Sequence, residues 1–220
     1  MARKRVAVLI SGRGSNMAAL IAAAAAPDYP AEIALVLSNR PDAPGLAYAT
    51  KHGIATVVVD HTTFGKDREA FERAMQAELA RANIELLCLA GFMRLMTPWF
   101  VRTWDGRMIN VHPALLPAFK GLDTHARALE AGAKIHGATV HFVVPEMDSG
   151  PIIAQGAVAV SDDDTAESLA ARVLAVEHRI YPLALRLVAE GRTRIEGNRV
   201  AISGADTGAA ELLVPAIAPR

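Results

Sequence analysis

Four short runs rich in Val, Ile and Leu, at residues 6–10, 33–37, 56–59 and 86–90, alternate along this chain with longer helical segments. No other feature constrains its folding so strongly. Apolar runs of four or five residues bounded by polar or glycine-rich sequence read as strands buried on both faces. Residues 16–26, 45–52 and 66–82 read as the helices between them. In the last of these, Phe71, Met75, Leu79 and Ala82 fall on one face, as a helix lying on a sheet requires. Strand and helix in turn imply right-handed crossovers, hence an α/β fold with a doubly wound, mostly parallel sheet and flanking helices. Residues 107–111 continue that sheet.

The pattern changes after His112. A loop holding Pro113, Pro117 and Gly121 leads to a helix near 125–131. Two strand-like runs follow, 139–144 and 152–160, separated by a turn carrying Asp148 and Gly150. A long helix starts near Asp164, where Asp164 with Glu167 three residues on reads as a capping box. Leu169, Val173, Val176, Ile180 and Leu187 give it an apolar side, and Pro182 predicts a kink. A hairpin around Gly197-Asn198 precedes a loosely patterned tail over 204–220. With no repeat, linker or sharp boundary, residues 1–203 read as one domain.

Composition excludes several classes of function. The 220 residues are 52% apolar, and 23 basic side chains balance 23 acidic ones. Such a chain carries no net field to draw it to nucleic acid or a membrane surface. The apolar run behind the basic start Met1-Ala2-Arg3-Lys4-Arg5 is too short for a signal peptide, and no stretch approaches the roughly 18 to 20 apolar residues of a membrane helix. A soluble, cytoplasmic protein is expected. The single cysteine, Cys88 in Leu86-Leu87-Cys88-Leu89-Ala90, reads as a buried core thiol.

Three constellations point to chemistry. In Met108-Ile109-Asn110-Val111-His112-Pro113, alternation along a strand puts Asn110 and His112 on one face, and Pro113 ends the strand beside them. Asp148 follows 36 residues after His112, in Met147-Asp148-Ser149-Gly150-Pro151. An amide, an imidazole and a carboxylate are the groups needed to hold a developing oxyanion and move a proton. The second constellation, Ser11-Gly12-Arg13-Gly14-Ser15-Asn16, lies between the first strand and the first helix, where backbone N–H groups make an anion site. Met17 stands where a dinucleotide fingerprint needs a third glycine, and Ser38-Asn39-Arg40 offers no acidic residue after the second strand, so a monophosphate fits better than NAD. The third, Ala90-Gly91-Phe92-Met93-Arg94-Leu95-Met96-Thr97-Pro98, reads as an apolar loop that forms the wall of a slot for a flat ring system. His52 and His61 read as surface loop residues and His178 as a helix-face residue. His125, His136 and His141 lie around the candidate site but lack zinc-ligand spacing, so no metal is expected.

With these motifs in order, from about Val6 to Leu187, the chain resembles the phosphoribosylglycinamide formyltransferase family. The resemblance rests on residues 10–16, 89–94, 109–117, 137–142 and 148–151. It implies the formyltransferase fold, with a Rossmann-like, nucleotide-binding half over about 1–112 and a second half, about 113–203, completing the site. It implies that Gly14, Ser15 and Asn16 hold the phosphate of glycinamide ribonucleotide and that Glu177 binds its ribose. Arg68, Met93, Arg94, Leu95, Met96 and Asn110 would contact the co-substrate 10-formyltetrahydrofolate, and Asn110, His112 and Asp148 would carry the chemistry. Both partners would be small molecules, and the enzyme a monomer or weak homodimer. Arg13, where a smaller polar residue is expected, and Pro145, before the Asp148 turn, depart from the family pattern. The segment Lys120-Gly121-Leu122-Asp123-Thr124-His125 resembles the ribonucleotide enzymes more than the methionyl-tRNA formyltransferases or formyltetrahydrofolate hydrolases that share the module. A non-catalytic nucleotide-binding module would leave Asn110, His112 and Asp148 without a purpose.

Overall fold

Strand β1 (Lys4–Ile10) sets the layout, because its side chains are buried on both sides. Val6, Val8 and Ile10 enter one hydrophobic core with Met17, Leu20 and Ile21 of helix α1 (Ser15–Ala24). Ala7 and Leu9 enter a second core with Phe71, Met75 and Leu79 of α3 (Arg68–Arg81). A strand feeding two cores needs helices on both faces, which a parallel sheet with helical crossovers supplies. The structure, a computed structural model, describes residues 2–204 and Val214, so the tail expected over 204–220 lies almost wholly outside the described residues.

Among the described residues the sheet has seven strands, in the order β3 (Ala55–Val58), β2 (Ala31–Ser38), β1, β4 (Leu86–Leu89), β5 (Met108–His112), β6 (Ile135–Phe142) and β7 (Ile152–Ala159). β2, β3, β4 and β5 run parallel with β1. β6 and β7 are antiparallel additions. From β1 the chain builds outward through β2 and β3, then returns to place β4 on the other side of β1. The loops after β1 and β4 therefore flank the switch point at which open α/β sheets bind ligands. Helix α2 (Pro44–Lys51) and α6 (Ala166–Ala189) share the α1 core, with α6 lying along β6 and β7. Tyr181 of α6 is fully buried, and its hydroxyl reaches the carbonyl oxygens of Leu89 (3.0 Å) and Ile109 (3.2 Å). Cys88 lies beside it in the core, its thiol pushed up to about 12 by burial.

Several expectations are corrected. β3 is an edge strand with Ala55, Thr56 and Val58 exposed, since among the described residues no strand pairs with it beyond β2. β6 begins at Ile135, four residues before the expected start, because His136 and Gly137 interrupt the apolar run that marks a strand. Gly137 is required there, since a Cβ at that position would collide with the carbonyl oxygen of Gly156 on β7. The capping box of α6 is Thr165 with Ser168 instead of Asp164 with Glu167; Asp164 pairs with Arg172. α6 holds Pro182 inside it, the position at which the sequence expects a kink. A further helix, α4 (Pro98–Thr103), was not expected, although Thr97 capping it and Pro98 at its first turn are helix-start signals. Helix α5 spans Thr124–Glu130, and β8 (Thr193–Glu196) pairs with β9 (Arg199–Ile202) around Gly197-Asn198 as the hairpin reading requires.

The close approach of β6 to β7 makes Gly137→Ala a test of this register. Overpacking a close backbone contact costs about 1–3 kcal/mol, so the variant should unfold at lower denaturant concentration with an unchanged m-value.

Candidate active site

On β5, Ile109 and Val111 point into the core shared with α6, so Asn110 and His112 project from the opposite face of the sheet. Across the antiparallel pair, Asn110 stands opposite His141 and His112 opposite Thr139. Ala138, Val140 and Phe142 of β6 likewise enter the α6 core, which leaves Thr139 and His141 on the face with Asn110 and His112. Two loops cover this face. The first, 113–123, is tied down by Thr139, whose Oγ donates to the Ala114 carbonyl (2.7 Å) and accepts from the Leu116 N–H (3.0 Å). The second, 143–151, carries Asp148 over the histidines.

The loops bring Asp148 to His112. Asp148 Oδ2 lies 3.4 Å from His112 Nδ1 and accepts the Gly121 N–H at 2.9 Å. His112 Nε2 donates to the Phe119 carbonyl at 3.0 Å. A carbonyl only accepts, so Nε2 carries a hydrogen, and a charged ring presents its second hydrogen, on Nδ1, to the carboxylate. Both side chains are largely withdrawn from water, which strengthens their mutual field. Asp148 has a left-handed backbone (φ 50°), a conformation that asparagine and aspartate tolerate better than bulkier residues.

His141, to which the sequence pattern assigns no role, completes the cluster. Its Nδ1 donates to the Phe142 carbonyl (2.8 Å), and burial lowers its pKa, so the ring stays neutral with a bare Nε2. That nitrogen lies 3.4 Å from Asn110 Nδ2 and 3.9 Å from Asp148 Oδ1. A neutral acceptor at this place turns the amide N–H side of Asn110 toward it and leaves the second N–H free. The signal was present: His141 lies on the face that the strand alternation assigns to Asn110's neighbour. His136, fully buried, and His125, half-buried, lie beside the same loop. Burial pushes His136 down to about 4, and its ring meets those of Phe119 (5.8 Å) and His125 (5.3 Å) edge-on.

The loop after β1 opens α1 through Gly14, whose left-handed backbone (φ 72°) turns the chain so that the first N–H groups of α1, at Ser15 and Asn16, are free of intrahelical partners. Asn16 donates its side-chain N–H to Glu177 on α6 at 2.5 Å. Both are buried, and burial raises the Glu177 carboxyl above its ordinary range against the lowering effect of the Asn16 bond. The glycine-rich loop and Glu177 thus meet although 161 residues separate Asn16 from Glu177. The residues assigned to the flat ring system also assemble. Arg68 at the start of α3 donates to the Leu95 carbonyl (2.9 Å), Met93 and Leu95 are exposed, and Met96 packs on the α3 core. Glu72 of α3 holds the loop from below by accepting from the Thr97 N–H (2.6 Å) and hydroxyl.

A cavity of about 260 Å3 opens at the switch point, lined by Ser11, Gly12, Asn39, Arg40, His61, Gly91, Met93 and Arg94. Ser11 stitches it together, donating to Asn39 Oδ1 (2.6 Å) and accepting from the Met93 N–H (2.8 Å). His61, read as a surface loop residue, is half-buried in this wall with Nδ1 2.9 Å from the Asn39 carbonyl. His52 is exposed as expected. Among the described residues, no group of three or more His, Cys, Asp or Glu side chains is placed to hold a metal ion. Nor is any helix among them long and apolar enough to cross a membrane.

The profile of the formyl transferase family matches residues 4–185 of the chain. The phosphoribosylglycinamide formyltransferase of Escherichia coli (strain K12) is 42% identical over 199 residues, covering 90% of this chain and 93% of that relative. The trifunctional purine biosynthetic protein adenosine-3 of Bos taurus is 47% identical over 196 residues, 89% of this chain but 19% of the relative, so the chain spans about a fifth of that protein's length. Of solved structures, glycinamide ribonucleotide transformylase 1 from Symbiobacterium toebii superposes with a TM-score of 0.88 at 46% identity, over 91% of this chain and 94% of that one. A formyltetrahydrofolate deformylase from Pseudomonas syringae pv. tomato gives 0.83 at 28% identity, over 91% of this chain and 66% of that one.

The buried Glu177 carboxyl yields a pH-dependent prediction. Its folded-state pKa is raised, so the unfolded chain ionises first, and folding stability is lost as pH rises toward and through the raised value. Glu177→Gln keeps an oxygen for the Asn16 N–H and removes that penalty. Its melting temperature should match the parent's near pH 4, exceed it as pH rises above the ordinary carboxylate range, and keep a constant excess once the buried carboxyl has ionised; a difference that does not change from pH 4 upward would refute the buried-carboxylate account.

Proposed function

The chain belongs to the formyltransferase family, and from that premise we propose that it is a phosphoribosylglycinamide formyltransferase of purine biosynthesis. It transfers the formyl group of 10-formyltetrahydrofolate to the amine of glycinamide ribonucleotide, giving formylglycinamide ribonucleotide and tetrahydrofolate. The observation that carries this reading is the meeting of Asn110, His112 and Asp148 on one sheet face, beside a neutral His141. In this reading residues 1–203 form one catalytic unit: the half up to about 112 grips the nucleotide and the rest completes the site.

The phosphate rests on the N–H groups of Gly14, Ser15 and Asn16 at the start of α1, where the helix dipole favours an anion. Glu177, already fixed by Asn16, accepts from the ribose hydroxyls. The folate lies along the Met93, Arg94, Leu95 and Met96 loop, its ring against exposed apolar side chains and its carboxylates within reach of the Arg68 and Arg94 guanidiniums.

The amine nitrogen attacks the formyl carbon, forming a C–N bond and a tetrahedral oxyanion. The second N–H of Asn110 donates to that oxygen. The His112 Nδ1–H, whose carboxylate lies 3.4 Å away and leaves its hydrogen bond incompletely made, turns to the same oxygen. Asp148 takes the proton lost by the attacking amine and passes it, directly or through water, to the folate nitrogen as its bond to carbon breaks. Asn110, His112 and Asp148 suffice for the sequence without a covalent enzyme intermediate.

The hydrolase reading is the nearest rival, since water could replace the amine as nucleophile. The greater identity to the ribonucleotide enzymes, 42% and 46% against 28%, supports the transferase. An assay of 10-formyltetrahydrofolate with and without glycinamide ribonucleotide separates them. Deformylation should depend on the ribonucleotide, with formylated product recovered; equal deformylation without it would establish the hydrolase instead. Asn110→Ala and His112→Ala should each lower turnover about 100- to 1000-fold, the loss seen on removing one oxyanion donor, while circular dichroism stays unchanged.

A further inference from the structure

The segment 119–123 does more than cover the site. The Phe119 carbonyl receives the His112 Nε2–H, and the Gly121 N–H is donated to Asp148 Oδ2. Both partners of the reacting pair are thus oriented by backbone groups of one short loop. That loop is not a relaxed one. Phe119 (φ 52°), Gly121 (φ 84°) and Asp123 (φ 55°) are all left-handed, and for a residue as bulky as Phe119 this conformation persists only where the surroundings enforce it.

One side chain stands out as the restraint. Arg127, one turn into α5, reaches back and donates from Nη1 to the carbonyls of Lys120 (2.6 Å) and Leu122 (3.2 Å). Its guanidinium also lies 5.8 Å from the centroid of the Phe119 ring, whose edge-on neighbour is His136. The helix carrying it is anchored at its start by the Thr124 hydroxyl, which donates to the Pro113 carbonyl at 2.7 Å. Among the described residues no carboxylate pairs with Arg127, although it is exposed. Its hydrogen bonds go to the loop.

We propose that Arg127 is a positioning residue: it clamps 119–122 in the conformation that orients His112 and Asp148, and it touches no substrate itself. A guanidinium suits the task because Nη1 alone serves both carbonyls while the rest of the delocalised cation stays over the Phe119 ring, and a lysine ammonium, a single point charge, does not combine these. Lys120 adds a second tie between the loops, donating from Nζ to the Ser149 hydroxyl (2.6 Å) next to Asp148.

The inference uses the proposed function only for its kinetic readout. In Arg127→Ala, kcat for formyl transfer should fall about 10- to 100-fold, the cost of an ångström-scale misplacement of reacting groups. KM for the ribonucleotide should stay within about twofold, as expected when only transition-state contacts are lost. Added guanidinium ion should restore part of the rate, and Arg127→Lys should lie between the two. In spectra of 15N-histidine protein without substrates, the His112 Nε2–H resonance should weaken or shift in Arg127→Ala while the melting temperature holds. Unchanged kcat, or a lower kcat with an unaltered His112 resonance and no guanidinium rescue, would overturn the proposal. Absence of formyl transfer in the unaltered protein would overturn the functional reading instead, and the His112 resonance would still decide on the clamp.

Discussion

The whole site depends on how β5 is seated. Ile109 and Val111 are buried against the α6 side of the sheet, each worth about 1.5–3 kcal/mol. A slip of one residue would take both out of that core and drive Asn110 and His112 under α6, where an unpaired buried polar group costs a further 1–3 kcal/mol or so. That difference is large against the 5–15 kcal/mol by which a domain is typically stable. Hydrophobic burial on one face therefore decides which way the amide and imidazole point on the other. Tyr181 reinforces the seating, because its hydroxyl sits between the carbonyls of Leu89 and Ile109, one residue short of the site.

From that seating the chemistry follows by layers. β6 pairs antiparallel to β5, so His141 falls opposite Asn110, and its neutral, bare Nε2 sorts the two ends of the amide. The covering loops then deliver backbone partners: a carbonyl for His112 and an N–H for Asp148. Each group proposed to react is aimed by one outside that set: Asn110 by His141, His112 by the Phe119 carbonyl and Asp148 by the Gly121 N–H. The end proposed for the nucleotide is built in the same manner, with Asn16 holding the Glu177 carboxyl across α1 and α6. Rigid strands and helix ends fix the first groups, and loops held by specific bonds bring up the rest.

Much of this architecture was readable from residues alone. The β1, β2 and β4 runs are largely continuous and apolar because both faces are buried, and α3 shows its core stripe in Phe71, Met75 and Leu79. The alternation in 108–113 was enough to put Asn110 and His112 together. Periodicity failed where a glycine or a polar residue did a strand's work, as at His136 and Gly137 in β6, and where pairing stopped, as at β3. It was also blind to contacts made by loops. Nothing in the spacing of Asp148 from His112 says that the 143–151 turn lies back over the sheet. The positions of His61 after β3 and Asn39 after β2 do carry a usable signal, since strand ends near a switch point line binding clefts, yet His61 reads as a surface residue when only its local sequence is considered.

The central claim is that the Asp148 carboxylate, held against His112 by the two loops, moves the proton that the reaction requires. Single-turnover formyl transfer by Asp148→Asn, with both substrates pre-bound at saturating concentration, tests it directly. The account predicts intact binding of both substrates and a chemical step slowed at least about 100-fold, the low end for a lost general acid–base group. A single-turnover rate within a few-fold of the unaltered protein would contradict it.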